Sequence, residues 1–185
     1  MKTNLELYIL SLVRNGVATP YELNSRAGLS LGSTVPALAR LESESLIKGS
    51  EPQSRNSRRY LLTSKGLRLL QREWREQLTE ETTDLDSILR ITYLARQYGT
   101  SEAAAEYLSK AGNRLHARAN SLKSEAERFG GPDGWVKNDA FRSLRARIES
   151  RRLMAAADEI ALLAKELLKS GRDEPAKTKK KKKRS

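Results

Sequence analysis

The chain has 185 residues with one histidine and no cysteine. It can therefore form neither disulfide bridges nor thiolate zinc sites, and the usual nucleophile and base pairs cannot be assembled within it. Lysine and arginine number 35 against 23 acidic residues, and seven of the twelve net positive charges fall in the last nine residues. Most of the net positive charge therefore lies at the C-terminal end, and the rest of the chain is only moderately basic.

Targeting and catalytic signals are weak. No apolar run approaches the roughly 20 residues of a membrane span, and the run over residues 5–13 contains Glu6 and lacks a small-residue cleavage site. We expect a cytoplasmic protein with no membrane contact. The glycines at 130 and 131 follow a predicted helix, so they do not form a phosphate loop. We therefore predict no enzyme, no catalytic residue, no metal and no cofactor.

The first 28 residues predict two helices. The first has apolar residues at helical spacing, namely Leu5, Tyr8, Ile9 and Leu12. The second begins at Thr19, which caps it, with Pro20 in its first turn and Glu22 completing a capping box. Gly28 ends this helix, since glycine is the residue that most readily adopts a left-handed backbone.

A third helix begins at Ser30, its predicted cap. Leu31, Val35 and Leu38 fall at i, i+4 and i+7, which predicts a buried stripe, and the helix continues through Pro36. The opposite face would then carry small and polar side chains. Two short helices joined so tightly are typical of a helix-turn-helix, and a groove about 12 Å wide accepts a helix with small side chains.

A two-stranded hairpin follows the third helix. Leu46 and Ile47 open the first strand, residues 51–57 have the composition of a loop, and residues 58–62 form the return. A hairpin in this position is a wing. Its tip and return carry Arg55, Asn56, Arg58 and Arg59, which suit contacts to phosphates or to a minor groove.

These segments resemble the PadR-like family of winged-helix transcriptional regulators. The matching pieces lie in the first eighty residues and comprise residues 21–23, 30–38, 40–42, 46–47 and 59–66. Val35 stands where the family usually has a tyrosine, and Ser45 stands where a glycine usually ends the recognition helix, so we expect a differently closed helix end. The resemblance implies a C-terminal helical dimerisation region and, in some members, a phenolic or other flat hydrophobic effector.

The second half of the chain predicts only helices. One runs from a cap at Thr83, with Leu85, Ile88, Leu89 and Thr92 inward, to Gly99. The next begins at Ser101 and carries a near-heptad stripe of Leu108, Ala111, Leu115, Ala119, Leu122, Ala126 and Phe129. After the glycines near residue 131, a last helix carries Phe141, Leu144 and Ile148 and then Leu153, Ala156, Ile160, Leu163 and Leu167.

The fold class is therefore expected to be mainly α. An N-terminal winged helix-turn-helix with a two-stranded wing would be followed by an antiparallel helical dimerisation region. The predicted domains are residues 1–80 and 81–170, with a disordered basic tail at 171–185. A homodimer through helices 101–129 and 141–168 is the expected assembly, and an intramolecular helical hairpin is the alternative.

The expected function is sequence-specific binding of duplex DNA by a homodimeric repressor of transcription. The residues expected to face base edges are Ser33, Thr34, Ala37 and Arg40. Tyr21 and Ser30 would form hydrogen bonds to the DNA backbone. Arg40 could instead pair with Glu44. The tail residues that would add non-specific attraction to DNA are Lys179, Lys180, Lys181, Lys182, Lys183 and Arg184. Thr63 is the predicted cap of the helix that follows the wing, and Trp74 in that helix is expected to pack in the core. If an effector binds, we expect it near Tyr8 and Trp74.

Two other functions stay open on the sequence. A nucleoid-type or architectural protein would bind DNA through charge without reading bases. A winged helix that holds a protein partner instead of DNA is the other, and the missing tyrosine at position 35 favours it.

Overall fold

A computed structural model of the chain describes residues 1–51, 58–129 and 139–173. The chain folds into two compact units, Met1–Gly99 and a second that begins at Thr100. The expectation of a mainly helical protein with a two-stranded antiparallel sheet and long C-terminal helices is confirmed. None of the helices in the described ranges combines the length and apolarity that crossing a membrane requires.

The first unit contains five helices and a hairpin within its described residues. The helices are α1 (Asn4–Arg14), α2 (Pro20–Ala27), α3 (Leu31–Ser43), α4 (Ser64–Glu73) and α5 (Leu85–Tyr98). The strands are β1 (Ile47–Gly49) and β2 (Tyr60–Leu62), and a short 3-10 turn covers Glu76–Thr79. The predicted domain boundary near residue 80 is one helix too early, because α5 belongs to this unit.

Side chains of α5 hold it to α1, and this explains the later boundary. Ser11 Oγ lies 2.9 Å from the Tyr98 hydroxyl, and Asn15 Nδ2 donates to the Tyr93 hydroxyl at 2.9 Å. The polar stretch before α5 thus lies inside the first unit and is not its boundary. Asp84 caps α5, where Thr83 was predicted, and Leu89 is exposed although it was expected to face inward.

Local capping signals fix α2 as predicted. Thr19 Oγ1 accepts from the Glu22 backbone at 3.1 Å, and the Thr19 backbone N–H donates to the Glu22 carboxylate at 3.1 Å. Gly28 ends the helix with φ of +66°, a backbone conformation that costs glycine little. The first helix has a capping box of the same kind between Thr3 and Glu6, which sequence reasoning missed although the T-x-x-E signal is present.

The end of α3 differs from the expectation drawn from Ser45. Ser45 adopts a left-handed backbone with φ of 59°. Its N–H donates to Glu42 O at 2.8 Å, and the Leu46 N–H donates to Leu41 O at 2.9 Å, which is the Schellman pattern. The helix therefore closes as it would with glycine, and serine bears the conformational strain. The helix also continues through Pro36, as predicted.

The hairpin is attached closely to the helices around it. Strands β1 and β2 pair antiparallel, with Ile47 opposite Leu62 and Gly49 opposite Tyr60. The Tyr60 N–H donates to Ala18 O, just before α2, at 2.8 Å. Thr63 caps α4 as predicted, and a Cβ built on Gly66 would lie 2.1 Å from Leu46 O. A side chain at position 66 would therefore push α4 away from β1.

The second unit is an antiparallel hairpin of α6 (Ser101–Phe129) and α7 (Asp139–Asp173). Ser143 Oγ donates to Ala126 O, and Ser150 Oγ donates to Ala119 O, both at 2.8 Å. Small residues recur every seven positions in this seam, at 105, 112, 119 and 126 on α6 and at 143, 150, 157 and 164 on α7. Helices α6 and α7 therefore pack against each other within one chain.

The two helices of the hairpin differ in how well their buried faces were predicted. On α6 the predicted stripe from Leu108 to Ala126 is buried. On α7 the first part of the predicted apolar stripe is not buried against α6, since Phe141, Leu144 and Ile148 are 75%, 52% and 59% exposed. Small residues, including Ser143, Ala146 and Ser150, are buried against α6 in their place. The two helices come close enough there for the hydroxyls of Ser143 and Ser150 to donate to backbone carbonyls of α6.

Candidate nucleic-acid interface

The buried face of α3 is rotated from the predicted one. Thr34 and Ala37 are fully buried together with Leu38 and Leu41, whereas Leu31 and Val35 are each 51% exposed. Burial of Thr34 is possible because its Oγ1 donates to Ser30 O at 2.7 Å. The predicted roles of Thr34 and Ala37 at base edges are therefore wrong.

Most side chains on the outer face of α3 are small, and Leu31, Val35 and Arg40 are the larger ones. Ser33 is exposed as predicted, and the other exposed small residues are Gly32, Pro36, Ala39 and Ser43. No carboxylate occurs in the sequence from Leu31 to Arg40. This surface begins at the first turn of the helix, where backbone N–H groups make the local potential positive. It is therefore a ridge without acidic side chains, which a phosphate-lined groove would not repel.

Ser30 and Ser33 shape the start of that ridge. Ser30 Oγ accepts from the Ser33 N–H at 3.3 Å, the two hydroxyl oxygens are 2.9 Å apart, and Ser33 Oγ also donates to Ser30 O at 3.0 Å. Both side chains remain exposed. Tyr21, in the first turn of α2, is 69% exposed. These three predicted contact residues are thus accessible to a ligand.

Arg40 pairs with a residue that the sequence did not indicate. Its Nε donates to Glu6 Oε1 at 3.0 Å, and its side chain remains about half exposed. Glu44, the predicted alternative partner, pairs with Lys2 instead. Because Nε makes this bond, the two terminal nitrogens of the guanidinium remain available for an outer contact.

Glu6 links the start of α1 to α3. Its Oε1 accepts from Arg40, and its Oε2 accepts from the Thr3 backbone N–H at 3.1 Å. Burial raises the pKa of this carboxyl, but hydrogen bonds from Arg40 and the Thr3 backbone and the charge of Lys2 together outweigh burial, so its pKa is lowered. Glu6 is therefore an ionised anchor beneath α3.

The two described wing arginines are both paired. Arg58 Nη2 lies 2.6 Å from Glu42 Oε1, and its guanidinium carbon lies 5.6 Å from the centre of the Tyr60 ring. Arg59 Nη2 donates to Gly16 O at 2.9 Å, and Nη1 lies 3.8 Å from the Glu22 carboxylate. Arg55 and Asn56 lie outside the described residues, as do Lys179, Lys180, Lys181, Lys182, Lys183 and Arg184.

Two further exposed cations accompany these arginines. Arg26 lies in the last turn of α2, two residues before the corner that leads to α3, and Lys48 lies on β1. Neither forms an ion pair with another residue of the described ranges. The sequence reasoning missed both because isolated basic residues carry no spacing signal.

Tyr8 and Trp74 have packing roles in the first unit. Tyr8 meets the Tyr93 ring edge-on with centroids 5.0 Å apart, and burial, followed by the effect of Tyr93, raises the pKa of the Tyr8 hydroxyl. Trp74 is buried, and its ring lies against Gly99. The core role expected for Trp74 is confirmed. A cleft of about 520 Å³ lies instead in the second unit, lined by residues that include Lys123, Arg147 and Met154.

Metal ligands do not cluster in the part of the chain that the structure describes. No group of three or more His, Cys, Asp or Glu side chains there could hold an ion. The single histidine, His116, lies with Nδ1 3.0 Å from Met154 Sδ and Nε2 3.6 Å from Asp158, so it packs across the α6 and α7 seam.

No family model matches the chain, and no curated protein matches its sequence.

Proposed function

We propose that the first unit is a winged helix-turn-helix that binds duplex DNA sequence-specifically, and that the chain is a homodimeric regulator of transcription that represses by blocking promoter access. Under this proposal α2 and α3 form the helix-turn-helix, and β1 and β2 form the wing. The resemblance to PadR-like regulators supports the same assignment. Such a protein would act in the cytoplasm, at the nucleoid.

The observation that carries the proposal is the exposed ridge of α3. Over the ten residues from Leu31 to Arg40 it has no acidic side chain, and its bulky exposed residues are Leu31, Val35 and Arg40. A recognition helix must enter a groove about 12 Å wide between two rows of phosphates. A helix whose exposed side chains are mostly small and include no acidic group, and whose N-terminal end has a positive potential, is suited to that position.

The arginines around the ridge support a role in phosphate contact. Arg58 and Arg59 are about half exposed, and their partners are carboxylates or a carbonyl on the surface. Exposed ion pairs contribute only about 0 to 1 kcal/mol, so exchange of a carboxylate for a phosphate costs little. These residues would fix the orientation of the protein on DNA, and exposed groups on α3 would read bases.

Ala39 offers the most direct test of the ridge. It is exposed on α3, so Ala39→Glu should leave folding intact and place a carboxylate in the groove. We expect affinity for a mixed-sequence duplex at low salt, measured by fluorescence anisotropy, to fall at least about tenfold. Ala117→Glu on α6, also at an exposed alanine, is the matched control and should bind as the unchanged protein does. Equal affinities for all three proteins would contradict the proposal.

Removal of Arg40 and removal of Arg58 should change DNA binding in different ways. Arg40→Ala should cost about 1 to 3 kcal/mol on a selected site and relax its specificity if the terminal nitrogens reach a base. Arg58→Ala should weaken binding to all duplexes alike and lower the salt slope by about one. Titrations on selected and scrambled duplexes at several salt concentrations measure both effects. If Arg40→Ala lowered the affinity for every sequence equally, Arg40 would not contact bases.

One observation favours the alternative of a protein-interaction module. Tyr21, Leu31 and Val35 are large side chains exposed on α2 and α3. Exposed apolar groups of this size are typical of contacts with protein, although they can also meet thymine methyl groups. A folded protein with no affinity for any duplex at low salt would favour this second function.

A further inference from the structure

The outer face of α7 carries apolar side chains that the α6 seam leaves uncovered. Phe141, Leu144, Ile148 and Leu162 are 75%, 52%, 59% and 52% exposed, and Ala155 is also exposed. Positions 141, 148, 155 and 162 are separated by seven residues, so they lie along one line of the helix. This line is opposite the face that holds Ser150 and Ala157 against α6, because it is rotated by about half a turn from them.

A second heptad line runs beside the first and carries charge. It consists of Arg145, Arg152, Glu159 and Glu166, again spaced by seven residues. The first half of this line is therefore basic and the second half acidic. None of these four side chains forms an ion pair with another residue in the described ranges.

We propose that the outer face of α7 docks on the same face of a second copy, with the two helices antiparallel. This inference rests on the proposed homodimer and specifies where the copies meet and how they are oriented. In an antiparallel pair the basic half of each charged line faces the acidic half of the other, so Arg152 meets Glu159 of the second copy and Arg145 meets Glu166. The apolar lines then cover each other between these ion pairs.

A parallel pair is disfavoured by the charges on the other side of the apolar line. That side carries Arg147, followed seven residues later by Met154. In a parallel pair, Arg152 of one copy would lie beside Arg147 of the other, and neither glutamate would meet a cation on that side. The charge pattern therefore selects the antiparallel orientation and not merely association.

The absence of natural cysteine allows a crosslinking test of orientation in the full-length chain. Ile148→Cys and Leu162→Cys each replace an exposed side chain of the apolar line, so folding should be retained. The register that joins Arg152 to Glu159 of the second copy also brings these two positions opposite each other. After mild oxidation at micromolar concentration, we expect the mixture of the two variants to give at least about five times more disulfide dimer than either alone. Ala117→Cys, exposed on α6, is the control and should give little. Equal dimer from each single variant would indicate a parallel pair, and no dimer above the control would overturn the proposal.

A charge exchange tests the ion pairs without cysteine. Arg152→Glu alone and Glu159→Arg alone each place like charges together. The dissociation constant of the dimer, measured by light scattering, should therefore rise at least about tenfold. Mixing these two variants should restore the dimer, because each charge reversal then meets its complement. Single variants that dimerise like the unchanged chain, or a chain that is monomeric without changes, would overturn the inference. These measurements use no DNA, so their failure leaves the proposed DNA binding to be judged by its own titrations.

Discussion

The two units of this chain pack their helices by different means. In the first unit, large aliphatic side chains such as Leu10, Leu38 and Leu70 fill the core, and specific backbone contacts at Gly66 and Ser45 set the angles between elements. In the second unit, alanine, glycine and serine recur every seven residues in the seam between two long helices. Large side chains between the helices hold the first unit together, and small side chains let the two helices of the second unit approach closely.

This difference explains where an apolar pattern identifies a core and where it does not. On α7 the bulky residues Phe141 and Ile148 lie outside while Ser143 and Ser150 contact α6, although Leu153 and Ile160 further along the helix are buried. A stripe of large apolar residues then marks a surface for another partner. Single substitutions in each unit test this difference in packing.

Gly66→Ala should give the largest effect on stability. Its new Cβ would lie 2.1 Å from Leu46 O and 2.8 Å from Leu62 Cδ1, and a backbone carbonyl cannot move aside cheaply. We expect the free energy of unfolding to fall by about 3 kcal/mol in urea titrations. Gly32→Ala on the exposed face of α3, where nothing lies within 4 Å, should cause no loss. Equal stability of the two variants would show that α4 does not depend on close approach.

Ala119→Leu tests the seam of the second unit. Ala119 is fully buried, and its carbonyl accepts the Ser150 hydroxyl at 2.8 Å, so three added carbons would force the helices apart. We expect a loss of about 2 to 3 kcal/mol in the same assay. Ala117→Leu, two residues away and exposed, should change stability by less than about 0.5 kcal/mol. If leucine were tolerated equally at both positions, the close packing of the seam would be wrong.

Glu6→Gln tests the anchor beneath α3 and should cost about 1 to 2 kcal/mol at neutral pH. The pKa of Glu6 in the folded protein is lowered from its ordinary value of 4.5. Its contribution is therefore fully present above about 4.5 and is lost as the pH falls through the lower, folded value. The variant should lose less stability than the unchanged chain between pH 6 and pH 3. Glu76→Gln, exposed on the 3-10 turn, is the control and should keep the full pH dependence.

Ser45→Gly should give the smallest effect, and the sign should be opposite. Serine at φ of 59° is strained, and glycine relieves that strain while adding entropy to the unfolded chain. We expect a gain of about 0.5 to 1 kcal/mol. Ser43→Gly, inside the last turn of α3, should instead lose about 1 kcal/mol. A destabilised Ser45→Gly would mean that the serine side chain has a role that its backbone geometry does not reveal.

Local signals made much of the first unit predictable. The caps at Thr19, Ser30 and Thr63 and the stop at Gly28 depend on neighbouring residues, and all four occur as expected. The phase of α3 was not predictable from large residues, because its buried face includes Thr34 and Ala37. The hydroxyl of Thr34 is satisfied within its own helix, so a polar residue there costs no more than an apolar one.

The exposure of the candidate site residues was predictable in part, but their partners were not. Ser33 and Arg40 are exposed on α3, but the partner of Arg40 is Glu6, 34 residues earlier, and no local pattern reveals such a pair. The same holds for Arg59, whose partners lie before and within α2. Long-range partners of charged side chains depend on how the helices pack, and this information is spread over the whole unit.

The central claim is that the outer ridge of α3 reads DNA sequence, and selection of bound duplexes from a random pool at physiological salt tests it most directly. A homodimer should enrich an inverted repeat with half-sites about one helical turn apart, and Ala39→Glu should enrich nothing. Enrichment of no common sequence by the unchanged protein, or of the same sequence by both proteins, would contradict the claim.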